Sequence, residues 1–278
     1  NRILTFAPRT QLGDCAVLSD LNSGALLKVF PSPFPLCFST DGSLQKIHID
    51  PPAIESLDPG HDDAVKKVPV DLPNSAWHGV KILVTSPNGS SLFVAATKTW
   101  WLIDTASGHV LWQRPADARG IRSAVFSSDG RRLAVLVLDV GEIQIFDDAS
   151  NSPRVIQAHA LDVNGACFSP DGLTLATGGS DAFIRLWNVR DGQKRSEWRA
   201  HTEEVTDVAF APDGRTLASL HVGSQVRFWH LATLREIANI SLPNAGSQLV
   251  FAPDGRRLAV VLGPENSGGV RVFDAPDE

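Results

Sequence analysis

The histidines are the first place to look for chemistry, and the chain has 8 of them. His159 with Asp181 has the composition of an acid–base pair, in which a carboxylate orients an imidazole. Their spacing also suits a buried structural network, and that is the expected role. His221 and His230 are possible metal ligands by type. Neither has a His or Cys partner at the spacing a zinc site requires, so loop or edge positions are expected for both. Three cysteines, Cys15, Cys37 and Cys167, cannot build a disulfide framework. Cys37 and Cys167 each directly precede the Phe of a recurring phrase or its start, and read as small buried hydrophobes. No Gly-x-Ser-x-Gly turn and no phosphate-cradling glycine loop is present. No catalytic residue, metal or cofactor is therefore assigned.

The rest of the composition narrows the classes further. Hydrophobic residues make up 43% of 278 and charged residues 20%, enough for a substantial core. A net charge of −6 disfavours nucleic acid as a partner, because phosphate neutralisation needs a basic face. No apolar run reaches the roughly 18–20 residues of a membrane span, so no membrane partner is expected. The chain opens on Asn1 and contains no Met, so the natural start is expected to lie upstream. With few cysteines and no visible signal segment, a cytoplasmic location is the expectation.

Histidine and aspartate must be positioned by something, and the sequence repeats. Phe38-Ser-Thr-Asp-Gly42 recurs as Thr85-Ser-Pro-Asn-Gly89, Phe126-Ser-Ser-Asp-Gly130, Phe168-Ser-Pro-Asp-Gly172, Phe210-Ala-Pro-Asp-Gly214 and Phe251-Ala-Pro-Asp-Gly255. The closing glycines are 47, 41, 42, 42 and 41 residues apart. Pro presets φ, Asp or Asn bonds its own backbone, and Gly accepts positive φ, so each copy is a turn between two strands. A second phrase follows about twenty residues later: Leu102-Ile-Asp-Thr-Ala-Ser-Gly108, Leu186-Trp-Asn-Val-Arg-Asp-Gly192, Phe228-Trp-His230. Alternation leading into it, as in Phe183-Ile-Arg-Leu-Trp187, marks a third strand, and a more polar fourth follows. Four antiparallel strands per period is the arithmetic of a propeller blade.

At this point the chain resembles the WD-repeat β-propeller family, of a bacterial type. Ala158-His159 and Ala200-His201 stand where the family has Gly-His, and Trp187-Asn188 and Trp229-His230 where it has Trp-Asp. The resemblance implies an all-β fold of four-stranded blades, seven in number, with end strands missing from the chain. The blades are placed at about 1–30, 34–69, 79–114, 121–157, 159–199, 201–241 and 246–274. An upstream segment is expected to supply the strands that close the ring. The family's internal tetrad maps onto His159, Thr177, Asp181 and Trp187. In the sixth blade His201, Ser219 and Trp229 remain, but Gly223 replaces the acid, and Gly223→Asp is expected to complete that network if the turn accepts a side chain.

The resemblance also places binding on the face where loops enter first strands and join second to third strands. Carried over by position, that rim is Phe34, Lys81, Arg122, Asn164, Thr206 and Ser247, with Asp162 and Glu204 two residues earlier and Asp139, Ser180 and Val222 in the second-to-third turns. Its mixture of charge suits a protein or peptide partner. Trp101 reads as core and Trp77 as an exposed anchor. The implied function is a non-catalytic scaffold or sensor platform in a larger signalling, regulatory or defence protein, with an effector domain in the same full-length chain. One alternative is a quinoprotein-like or small-ligand-binding propeller, since Asp104 through Trp112 resembles a quinoprotein repeat in this blade alone.

Overall fold

In the computed structural model, residues 79–147, 150–262 and 270–274 are described throughout. Residues 53–56 and 67–72 are described with their side chains, and otherwise up to residue 66 only the backbone of the strands. Phe34 and Trp77 lie outside the described residues. Seven antiparallel sheets follow one another along the chain, each pairing its strands in sequence order. The first holds β1 (Arg2–Thr10), β2 (Gly13–Asp20) and β3 (Leu26–Pro31). The second holds β4 (Cys37–Phe38), β5 (Leu44–Ile49), β6 (Pro52–Leu57) and β7 (Ala64–Pro69). The third comprises β8 (Val80–Thr85), β9 (Ser91–Ala96), β10 (Thr99–Asp104) and β11 (Val110–Pro115). The fourth comprises β12 (Ile121–Phe126), β13 (Arg132–Val137), β14 (Glu142–Asp147) and β15 (Arg154–Gln157). The fifth comprises β16 (Val163–Phe168), β17 (Thr174–Gly179), β18 (Phe183–Asn188) and β19 (Lys194–Arg199). The sixth comprises β20 (Val205–Phe210), β21 (Thr216–His221), β22 (Gln225–His230) and β23 (Arg235–Ser241). The seventh has β24 (Gly246–Phe251), β25 (Arg257–Leu262) and β26 (Val270–Asp274). Three strands, then five sheets of four, then three is the expected propeller pattern.

The repeated phrase makes the turn its residues demand. Gly89, Gly130, Gly172, Gly214 and Gly255 all adopt φ between 65° and 72°, where a side chain would be strained. In the fifth sheet Asp171 Oδ1 accepts from Leu173 N at 2.9 Å, and Ser169 N bonds Thr174 O at 2.8 Å. The same aspartate bond recurs at Asp129, Asp213 and Asp254.

No sheet could bury both faces alone, and the cores lie between sheets. Ile54 and Val68 of the second sheet pack with Leu92, Trp101 and Ile103 of the third. Phe93, Trp100 and Trp112 of the third pack with Phe126, Leu133 and Phe146 of the fourth. Ile143 and Ile145 meet Phe168, Leu175 and Trp187 in turn, and the pattern continues through the seventh sheet. This is why second and third strands are nearly continuously buried, as in β13, where five of six residues are buried, while fourth strands such as β23 are largely exposed. Trp101 is core, as expected, and so is Trp100.

Candidate functional site

The first strands of the third to seventh sheets share one irregularity. Register breaks between Val80 and Ile82, Ile121 and Ser123, Val163 and Gly165, Val205 and Asp207, and Gly246 and Gln248. The residues skipped are Lys81, Arg122, Asn164, Thr206 and Ser247. Each is the extra residue of a β-bulge, a feature that frees a side chain from the alternation of its strand and re-aims it. A sequence periodicity of two could place these residues near the strand entry; it could not show that they leave the pleat.

Arg122, Asn164, Thr206 and Ser247 line a cavity of about 980 Å³ between the first strands of the fourth to seventh sheets, joined there by Glu204, Asp207 and Gln248. Its far end is walled by Ser128, Pro170, Pro212 and Pro253 of the repeated turns, so it runs along the axis of the inner strands. Rim side chains bridge neighbouring sheets. Arg122 lies 3.5 Å from Asp162, whose other oxygen accepts from Asp139 N at 2.8 Å. Asn164 Nδ2 donates to Ser180 Oγ and to Val205 O, each at 3.0 Å, and Ser180 Oγ donates to Glu204 Oε2 at 3.2 Å. Ser247 Oγ donates to Val261 O at 3.5 Å. Thr206 Oγ1 is buried and makes no hydrogen bond among the described residues. Lys81, Asp139 and Val222 are exposed, and Asp139, Asp162, Ser180 and Val222 flank the cavity without lining it.

Asp207 is a rim residue that spacing did not single out. It follows a bulge and points its carboxylate to the neighbouring sheet, where Oδ2 accepts from Leu249 N at 2.7 Å. Burial pushes its pKa up to about 7, the two backbone N–H bonds only partly offsetting the lost hydration. Cys167, in the same wall, has its thiol pushed far up by burial and by Asp207, which disfavours the thiolate.

His159 lies in the interior. Trp187 Nε1 donates to Thr177 Oγ1 at 3.1 Å, Thr177 lies 2.8 Å from His159 Nε2, and His159 Nδ1 lies 2.9 Å from Asp181. With the indole donating, the hydroxyl proton goes to Nε2, which leaves Nδ1–H to donate to the carboxylate. Burial lowers the His159 pKa despite Asp181, so the ring is neutral. Burial raises the Asp181 pKa, but bonds from Arg185 (2.7 Å) and His159 outweigh it and hold the group below the usual carboxylate range. The imidazole is thus neutral, with both ring nitrogens engaged and its side chain wholly buried.

The sixth sheet departs from this. Trp229 and Ser219 repeat the chain, with Ser219 Oγ 2.7 Å from His201 Nε2, but His201 Nδ1 has no partner. His221, expected on a loop or edge, is instead 8% exposed at the end of β21, with its ring centroid 4.4 Å from that of His201. It takes the place of Gly179 in the fifth sheet and fills the space an acid at 223 would need. A Cβ on Gly223 would come within 2.3 Å of the His221 ring, so Gly223→Asp alone does not complete the network. The turns themselves match: Ala182 and Ser224 adopt φ of 68° and 60°.

Three comparisons bear on identity. The model of the family described as WD domain, G-beta repeat matches residues 150–188 and 192–230. Among curated proteins, the chain is 29% identical over 83 residues to "Periodic tryptophan protein 2 homolog" of Dictyostelium discoideum, covering 30% of this chain and 9% of that protein. It is 48% identical over 44 residues to "Protein Atg16l2" of Mus musculus, covering 16% and 7%. It is 37% identical over 68 residues to "WD repeat-containing protein SL1-17" of Schistosoma mansoni, covering 24% and 22%. The chain thus spans a small part of each relative's length, and these relatives are eukaryotic. Among solved structures, a chain of "Crystal Structure of Mitotic Checkpoint Complex" aligns with a TM-score of 0.69 at 20% identity, covering 87% of this chain and 73% of that one. The chain is a β-propeller in fold, and its residues 150–188 and 192–230 are similar to the WD domain, G-beta repeat.

Proposed function

We propose that this protein is a non-catalytic protein-interaction platform whose partner docks on the bulge-lined rim. The carrying observation is the register break repeated in five first strands, which presents Lys81, Arg122, Asn164, Thr206 and Ser247 from a rigid scaffold. Side chains that are cross-bridged before binding lose little conformational freedom on docking, which favours affinity. WD40 propellers generally act as scaffolds for protein partners, and the similar solved chain belongs to a multiprotein complex. A role in a signalling, regulatory or defence protein of bacterial type, with an effector domain elsewhere in a longer chain, is part of the same proposal. Affinity capture from a native lysate, comparing wild type with an Arg122→Glu/Asn164→Ala variant, tests it. Loss of a specific partner is expected; equal recovery of every partner overturns the placement of the site.

A further inference from the structure

On the opposite face, the junction between the third and fourth sheets differs from the next one along. Between the fourth and fifth sheets two arginines close the gap. Arg132 donates to Asp147 at 2.9 Å and to Gly172 O at 3.1 Å; Arg154 lies 3.4 Å from Asp147 and donates to Val189 O at 2.9 Å. Register shows what replaces them one sheet earlier. Ser91 pairs with Asp104 as Arg132 pairs with Asp147, and Trp112 pairs with Leu102 as Arg154 pairs with Ile145. With a serine and an indole in place of two guanidinium groups, the junction stays open as a pocket of about 290 Å³.

The walls and mouth of this pocket have a defined chemistry. Trp112 stacks on Phe146 with centroids 5.1 Å apart, and Phe126, Leu102 and Leu133 complete an apolar interior. Trp112 is 5% exposed, yet its Nε1–H has no hydrogen-bond partner among the described residues. A buried indole N–H ordinarily finds an acceptor. Asn88, at the mouth, cannot serve: its Oδ1 already accepts from Ser86 and Ser90. Arg131, also at the mouth, is exposed and forms no ion pair among the described residues, because Asp129 is held by Ser127 and by the Arg131 backbone. Arg114 lies over Phe146 at 5.3 Å, so a second cation backs the aromatic wall. The exposed Arg131 at the mouth, with Arg114 behind the aromatic wall, favours an anion and repels a cation.

We propose that this pocket is a second binding site, independent of the rim, for a partner peptide that inserts one aliphatic side chain and sets a carboxylate beside Arg131. A volume just under the roughly 300 Å³ at which small-molecule sites begin suits one inserted side chain better than a cofactor. The Trp112 ring, which lines the pocket, packs against the inserted side chain.

N-acetyl-leucine carries the minimum chemistry, and N-acetyl-leucinamide is its uncharged control. The ¹H–¹⁵N indole resonance of Trp112, identified by its loss in Trp112→Phe, reports binding. A saturable shift is expected with N-acetyl-leucine, about tenfold weaker with the amide and in Arg131→Ala, as loss of one charge-assisted contact gives. Ser91→Arg restores the guanidinium that closes the next junction, with Asp104 in place to receive it, and is expected to abolish the shift while the other indole resonances stay put. No shift with either probe, equal affinity for acid and amide, or binding undiminished in Ser91→Arg overturns the proposal. Should Ser91→Arg fail to fold, the exposed Arg131→Ala variant decides by the same comparison.

Discussion

Replacing Asp181 by alanine removes three hydrogen bonds at once: from His159 Nδ1 at 2.9 Å, from Arg185 at 2.7 Å and from Phe183 N at 3.2 Å. They are unequal. The His159 side chain is 0% exposed, so its orphaned N–H can reach neither water nor another acceptor, at a cost of about 1–3 kcal/mol. Arg185 keeps Glu197 at 3.0 Å and loses a half-buried pair, worth up to about 1 kcal/mol. Phe183 N sits at a turn edge where water can replace the carboxylate. The total is about 1–4 kcal/mol, or a fall in Tm of about 2–8 °C at roughly 2 °C per kcal/mol for a domain of this size. Asp181→Asn keeps an oxygen for Nδ1–H and loses only the charge, so about half the fall is expected. Thermal unfolding followed by circular dichroism, with both variants at pH 7.5, makes the measurement. A Tm within about one degree of wild type for Asp181→Ala would refute the buried-network reasoning. Equal losses in the two variants would place the effect in the charge and not in the imidazole.

Three further outcomes follow from the same geometry. Gly223→Asp alone destabilises by about 1–3 kcal/mol through the clash with His221, while His221→Gly/Gly223→Asp recreates the fifth-sheet arrangement and raises Tm above either single variant. Asp207 titrates near pH 7 when folded and near 3.8 when unfolded, so the folded chain binds the extra proton in that window. Wild-type stability therefore falls by about 1.4 kcal/mol per unit as pH rises through it, and urea titrations of Asp207→Asn lose that slope. His201 has the opposite sign: with its pKa lowered to about 3 by burial, His221 and Arg227, the unfolded chain takes the proton first. Stability is lost as pH falls from 6.5 towards that value, and His201→Gln flattens this acid limb.

Much of this architecture is written locally. A turn of Pro, Asp and Gly acts over five residues, and apolar alternation acts along one strand. Hence the period near 42, the sequence of three-, four- and three-stranded sheets and the core position of Trp101 can be read without coordinates. The spacing from His159 to Thr177, Asp181 and Trp187 is legible for the same reason, since all four lie within one repeat. What could not be read lies in how strands and sheets meet. That Arg122, Asn164 and Thr206 leave the pleat depends on register between strands. That His221 fills the place of a carboxylate depends on how side chains of one repeat share space. That Asp207 reaches Leu249, and that Ser91 and Trp112 leave open a gap closed by Arg132 and Arg154 next door, depend on which groups a neighbouring sheet brings opposite. Strand pattern records which face a residue takes; only packing decides what waits for it there.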